Sequence, residues 1–418
     1  MSKFVTIAWR NIWRNRRRTI ITVSAIAFSI AIIIYSIAMA DGSHDAMIMR
    51  AMKIFSGYIQ IHEKGFQDDP KISKSFKLTP QITAAINSTS KIKAYSPRLQ
   101  SGALVATEEN SLGGMVVGIN PEMESKVTII QDKIIHGKSL VGSKTRECLI
   151  GDKMAKNLEA KVGDKLVTLV QGFDGSTGAI KFRIRGIYKT GSDEMDRTLV
   201  FINLQDARNL LAAPGMINSI AITTDSPNDV HKVVSRLKEN LSAIKDENNH
   251  IKFEVLGWKK LMPDLVQFVI LDSVGAYLFL GVLAIVVIFG ILSAVFASVL
   301  ERIHEFGIML ALGTKPKQII MMVMLEALLL TIVGVGIGLA IGLGLSIYHI
   351  SHPINLPQSM ESISSEYGME NKLFFAIYPL RLSIAVGIMI FLSLLFSYFP
   401  AWRVSRLKPD KAIRSIYQ

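Results

Sequence analysis

A single cysteine, Cys148, stands in 418 residues, which excludes an intramolecular disulfide and a cysteine-based zinc site. It says little about compartment. No Gly-x4-Gly-Lys-Ser/Thr phosphate loop occurs anywhere, so nucleotide hydrolysis is expected from another polypeptide. Charged residues make up only 19% of the chain against 50% hydrophobic, with a mean hydropathy of +0.34, too apolar for an ordinary soluble enzyme. No nucleophile with a partnering base stands out, and no metal cluster. The acidic group Asp193, Glu194 and Asp196 reads as a solvated loop rather than a cation site. His349 and His352 lack further obvious ligands and read as an interfacial loop.

What the sequence does have is four long apolar blocks. The first, Thr19 to Ala40, is uncharged, and at about 1.5 Å per residue it is long enough for a hydrocarbon core of roughly 30 Å. The others are expected at residues 267–300, 318–348 and 380–402. Charge sets their orientation. The segments 1–18, 301–317 and 403–418 carry fourteen basic residues against three acids, whereas the loop 349–379 holds Lys372 against three glutamates. The positive-inside rule then puts both termini in the cytoplasm and residues 41–266 outside. Most of the net charge of +13 is thereby topology, which removes the main reason to expect nucleic acid as a partner. Ala38-Met39-Ala40 also resembles a signal-peptidase site, but the preceding apolar stretch is longer than an h-region. Either way the following domain is exported.

Residues 3–18 read as an amphipathic elbow, with Val5, Ala8, Trp9 and Ile12 on one face and Arg10, Arg14 and Arg17 on another. A basic flank that only fixes topology is the alternative. The exported stretch has a balanced surface of 31 basic and 26 acidic residues. Short β-type runs at 57–62, 166–170, 180–185, 199–202 and 217–222, several of them alternating apolar and polar residues, predict strands, and helices are expected at 79–88, 152–158, 204–211 and 228–241. The fold class is therefore a four-helix membrane protein with a large α+β domain inserted between the first two spans.

Between the second and third spans lies Glu301-Arg302-Ile-His-Glu305-Phe306-Gly307-Ile-Met-Leu-Ala311-Leu-Gly313. Glu301 and Glu305 are one helical turn apart, and Gly313 is a natural helix stop before Pro316. This segment resembles the coupling-helix signature of the MacB/FtsX-like ABC transporter permeases. The opening Ile7-Ala-Trp-Arg10-Asn11-Ile-Trp-Arg14-Asn15-Arg-Arg-Arg-Thr19 and the ending from Pro400 to Arg414 match the same family, so the resemblance covers the whole chain. It implies that Glu301, Arg302, Glu305, Phe306, Gly307, Ala311 and Gly313 face an ATPase groove, flanked by Arg403, Arg406 and Arg414 of the tail. Phe306 stands where isoleucine is common in the family.

The resemblance further implies an inner-membrane, multi-pass permease with no cofactor of its own. ATP and magnesium belong to two copies of a separate ATPase, beside a second permease copy or a paralogue. Among the family's roles the chain looks most like the lipoprotein-releasing (LolC/LolE-type) permeases, with a lipoprotein or periplasmic partner outside. Efflux of drugs or peptides, often by permeases with a fused ATPase, and regulation of cell-wall hydrolases are the alternatives.

Two features of the spans remain. Gly334, Gly338, Gly342 and Ser346 form a small-residue ladder, which fits either a permease–permease contact or packing within one bundle. Glu326 lies inside the third span, where an acid is either paired or functional.

Overall fold

The computed structural model describes residues 2–142, 146–245, 249–357, 359 and 371–406. They form two units. One comprises the chain to Asp45 with Val269–Ile354 and the segment from Leu373; the other comprises Ala46–Phe268 with Asn355–Lys372.

The first unit is a helical bundle. An elbow helix, Ser2–Arg14, breaks at Asn15 and is followed by the first spanning helix, Arg16–Ala51. The break is held by side chains: Thr19 Oγ1 donates to the Ile12 carbonyl, and the Arg18 amide donates to Asn15 Oδ1 at 3.4 Å. The other three spanning helices are Pro263–Glu301, Pro316–Ser351 and Pro379–Ser405. All four are long and apolar enough to cross a membrane. Each extends beyond the apolar block read from the sequence, because helix continues into polar flanks that still satisfy its backbone. Ala38-Met39-Ala40 lies in mid-helix, and the Ala38 carbonyl accepts the Ala376 amide at 2.9 Å. The bundle core is aliphatic, with Ile26, Ile30, Ile34, Ile291, Val295, Met322 and Ala327 buried together.

The small-residue ladder is used inside this bundle. A Cβ on Gly338 would lie 2.6 Å from the Ala27 carbonyl oxygen, and one on Gly342 3.0 Å from that of Ala31. Gly334 faces Ile26 in the same way, and Ser346 turns its hydroxyl back to the Gly342 carbonyl at 2.7 Å. Glycine lets the third helix approach the backbone of the first, where dispersion rather than hydrophobicity drives packing in lipid. Gly336 and Gly344, off the ladder, meet nothing within 4 Å.

At the far end of the bundle from the termini, three residues of the first helix are tied down. His44 Nε2 lies 2.7 Å from Asp272 Oδ2 on the second helix, Tyr378 donates to Asp45, and Arg381 pairs with Asp41. His349 occupies the last turn of the third helix and His352 caps it, so the pair is not the loop expected. Their rings stack on Phe375 and Tyr348, with centroids 5.2 and 4.7 Å apart.

The second unit is built from β1 (Ile59–Glu63), β2 (Phe76–Lys77), β3 (Ile92–Ala106), β4 (Ser111–Ile119), β5 (Ile134–Gly137), β6 (Glu147–Gly151), β7 (Lys165–Gln171), β8 (Thr177–Tyr188), β9 (Leu199–Asn203), β10 (Met216–Ile217), β11 (Ser219–Thr224) and β12 (Phe253–Gly257). Six strands close on themselves in the order β3, β4, β9, β6, β8, β7 and back to β3. Closure removes free edges. Val105, Val116, Leu166, Phe182, Ile184, Val200 and Ile202 are buried among these strands in one hydrophobic core. The long β3 leaves this ring and pairs through its first half with β11, which continues to β1 and β12. Helices Pro80–Asn87 and Val230–Leu241 cover that second half through Ile82, Ile86, Val233 and Leu237.

Residues 193–198 form a helix, not the solvated loop expected. Asp196 is buried there and accepts from the Thr190 amide at 2.9 Å and its hydroxyl at 2.7 Å. The carboxylate is a structural acceptor with its hydrogen bonds filled. Cys148 is fully buried on β6, and burial pushes its thiol well above the ordinary range, leaving it inert.

Candidate functional site at the termini end of the bundle

The second spanning helix ends at Glu301. Arg302 breaks it with φ near −113°, and a separate short helix follows, Ile303–Ala311. That helix stops where the sequence places a glycine. The Gly313 and Thr314 amides donate back to the carbonyls of Leu310 and Met309 at 3.0 and 2.9 Å, and Gly313 takes φ +89°, a left-handed conformation. Pro316 then opens the third spanning helix, with the Lys315 amide donating to Gln318 Oε1 at 3.1 Å.

The short helix has two faces. Phe306 and Gly307 are buried against the bundle, and the Arg302 guanidinium lies 5.1 Å from the Phe306 ring centre. Ile308, Ala311 and Leu312 face solvent, Leu312 being 81% exposed.

Arg302 points inward. Its Nη1 lies 3.1 Å from Glu326 Oε2, and Ser298 Oγ donates to the other Glu326 oxygen at 2.9 Å. Glu326 is 6% exposed. The acid inside the third span is therefore a paired, hydrogen-bonded group. A niche of about 10 Å³ beside it, lined by Arg18, Thr19, Thr22, Ser298 and Glu326, is at the lower limit for one water and far too small for a substrate.

The remaining acids turn toward the elbow. Arg14 Nη1 lies 2.6 Å from Glu305 Oε1, and Arg18 Nη1 lies 2.6 Å from Glu301 Oε2. Glu305 is shared, since Arg302 Nε reaches its second oxygen at 2.9 Å. Partial burial pushes the Glu305 carboxyl up, but the hydrogen bonds from Arg302 and Arg14 outweigh it and hold the group below the usual carboxylate range. Exposed pairs of this kind contribute only ~0.2–1 kcal/mol each. Losing one partner of the buried Arg302–Glu326 pair costs several times that, about 3–5 kcal/mol.

The seven residues expected in the coupling segment are thus together, but with different exposures. Of the tail, Arg403 is exposed in the last turn of the fourth helix and Arg406 stacks on Trp402 at 4.1 Å, whereas Arg414 lies outside the described residues. The sequence reading places Arg14 on the basic face of the elbow and counts Arg14 and Arg18 toward topology, without pairing either with an acid. Their signal is the spacing: two basic residues four apart, opposite two acids four apart. Among the described residues, no group of three or more His, Cys, Asp or Glu side chains could hold a metal ion.

Four spanning helices, an α/β domain inserted after the first, and a short helix between the second and third define a multi-pass membrane protein with one large insert. Residues 19–240, more than half of the chain, match the MacB-like periplasmic core domain, and residues 277–409 match the FtsX-like permease C-terminal domain. The chain belongs to the MacB/FtsX/LolC-type ABC transporter permeases. It is 22% identical over 340 residues to the lipoprotein-releasing system transmembrane protein LolC of Xylella fastidiosa, covering 78% of each chain. It is 23% identical to an uncharacterized ABC transporter permease of Methanocaldococcus jannaschii, over 98% of this chain and 97% of that one. The macrolide export ATP-binding/permease protein MacB of Sodalis glossinidius is 22% identical over 77% of this chain, which spans only 49% of that protein. The periplasmic region of MacB from Actinobacillus actinomycetemcomitans aligns over 52% of this chain with 15% identity and a TM-score of 0.36.

Proposed function

We propose that this chain is the permease subunit of a lipoprotein-releasing ABC transporter in the inner membrane, with both termini cytoplasmic. Two copies of an ATPase subunit, holding ATP and magnesium, drive it beside a second permease copy or a paralogue. The observation that carries the reading is the likeness to LolC along 78% of both chains, alongside a fold in which the exported domain is continuous with two spanning helices. Nucleotide-driven closure of the ATPase pair displaces the short helix Ile303–Ala311, and the spanning helices pass that displacement to the exported domain. Work of this kind requires that the nucleotide states bias two arrangements of the permease differently.

The test is purification of the tagged chain in mild detergent, with mass spectrometry of what accompanies it. An ATPase together with acylated lipoproteins is the expected result, and ATP-dependent release of a lipoprotein from proteoliposomes completes it. An ATPase with a periplasmic adaptor and no lipoprotein favours efflux. No ATPase at all overturns the reading.

A further inference from the structure

Arg14 at the end of the elbow helix and Arg18 in the first turn of the first spanning helix face the two acids of the coupling segment in reverse order, Arg14 with Glu305 and Arg18 with Glu301, both at 2.6 Å. We infer that Arg14 and Arg18 are positioning residues that make the elbow and the coupling helix one moving part, so that a displacement of the coupling helix is delivered directly to the first spanning helix. The inference rests on the function proposed above.

Four observations support it. The ion pairs form a continuous chain, Arg14 to Glu305, Glu305 to Arg302, and Arg302 to Glu326, which reaches from the elbow to the third spanning helix. Ser298 joins the second helix to its end. The elbow is itself fixed to the first helix: Ile12 is buried, and its carbonyl accepts the Thr19 hydroxyl across the break at Asn15. The two glutamates already have partners within the chain, while Ile308 and Ala311 of the coupling helix and Leu312 at its end are exposed. A partner protein seated on those apolar residues can push the helix without displacing either arginine. The first spanning helix matters because it is one of two that run into the exported domain; Arg18 ties its first turn to Glu301, the last residue of the second spanning helix, while Arg14, just ahead of it, reaches the coupling helix through Glu305.

The charge swap separates this from direct use of the acids by the partner. Arg18→Glu and Glu301→Arg, singly and together, are compared in the full complex reconstituted with acylated lipoprotein, reading lipoprotein released per ATP hydrolysed and the amount of ATPase retained. Arg18→Glu is expected to lower release per ATP at least 10-fold with ATPase binding retained, and the double swap to restore it to within about 2-fold of wild type. Arg14→Glu with Glu305→Gln extends the test to the second pair. A swap that fails to restore coupling, or an Arg18→Glu variant with normal coupling, overturns the elbow's role while leaving the transporter assignment standing. Loss of ATPase binding in Glu301→Arg that the swap does not repair shows the acid acting on the partner, and overturns it too. A wild-type chain that brings down no ATPase overturns the functional reading and the inference together.

Discussion

Arg98 and Glu124 form an ion pair buried inside the exported domain, and removing the acid tests how that domain is held. Arg98 lies on β3 with Nε 3.1 Å from Glu124 Oε2 and Nη2 2.6 Å from Oε1, and neither side chain is more than 1% exposed. Thr128 donates to the same carboxylate at 2.7 Å, and the guanidinium sits 4.8 Å from the Phe55 ring centre. Glu124→Ala leaves a guanidinium in a low-dielectric site with an aromatic face as its main compensation. The expected destabilisation is about 3–5 kcal/mol, the range for breaking a buried pair by deleting one partner. Replacing both, Arg98→Met with Glu124→Leu, removes the stranded charge and is expected to recover most of that loss, because well-packed apolar substitutes for a buried pair are often neutral or stabilising. Hydrogen exchange of the full chain in detergent reads this locally. Amides of β3 and β11 that exchange through unfolding of the domain should exchange about 150- to 5,000-fold faster in Glu124→Ala, since each ~1.4 kcal/mol is tenfold. Peptides of the spanning helices serve as the internal control. Acceleration under 10-fold, or a double variant as fast as the single one, refutes the reasoning.

The four spans, their connectivity and the α+β insert were legible in the sequence because apolar blocks and charge asymmetry are single-strand properties of the chain. So were β1, β7, β8, β9 and β11: β7 alternates as a half-buried strand does, while β9 is a short, wholly buried run rich in β-branched and aromatic residues. The 15-residue β3 and the neighbouring β4 were not: Pro97 and glycines 102, 113, 114 and 118 sit inside them and argue for turns. Gly118 is there because a Cβ would lie 2.2 Å from that of Ala207, a packing reason invisible along the chain. The closed six-stranded ring is likewise a matter of pairing, which periodicity does not specify. At the coupling segment, the helix, its glycine stop and its proline restart were legible from local residue chemistry. The partners of its acids lay 283 and 291 residues away, and a rule that counts charges by side of the membrane assigns Arg14 and Arg18 to topology before pairing is considered. Asp196 misled for a related reason, since acidic clusters are usually solvated, and its burial depends on the Thr190 groups six residues earlier.

Gly338→Val places a branched side chain where a single Cβ already meets the Ala27 carbonyl at 2.6 Å; it should force the first and third helices apart and lower the thermal aggregation midpoint in detergent, while Gly290→Val, with nothing within 4 Å, should not. Gly42→Leu meets the Phe375 backbone at 2.3 Å and should release the segment ahead of the fourth helix, visible as faster exchange of residues 373–378 with the β3 amides unchanged. Glu326→Ala leaves Arg302 Nη1 without its carboxylate inside the bundle, with only the Glu305 pair at Nε remaining, and should reduce the folded, monodisperse yield more than Glu326→Gln, which keeps an oxygen for the Ser298 hydroxyl. His62 gives a pH prediction with a definite sign. Burial, reinforced by the charge of Arg98, lowers its pKa from 6.5 to about 4. Its Nε2 lies 2.7 Å from Gln60 Oε1, the contact of a neutral ring donating to an amide. Above pH 6.5 the ring is neutral folded or unfolded, and its contribution to stability does not vary. As pH falls from 6.5 toward 4, the unfolded chain takes up a proton that the folded one refuses, so the exported domain loses about 3 kcal/mol over that window and no more below it. His62→Gln removes the titrating group, and should flatten the dependence of β1 and β11 exchange on pH between 6.5 and 4 after correction for intrinsic rates. An equally steep dependence in His62→Gln assigns the loss to other groups and refutes the burial argument.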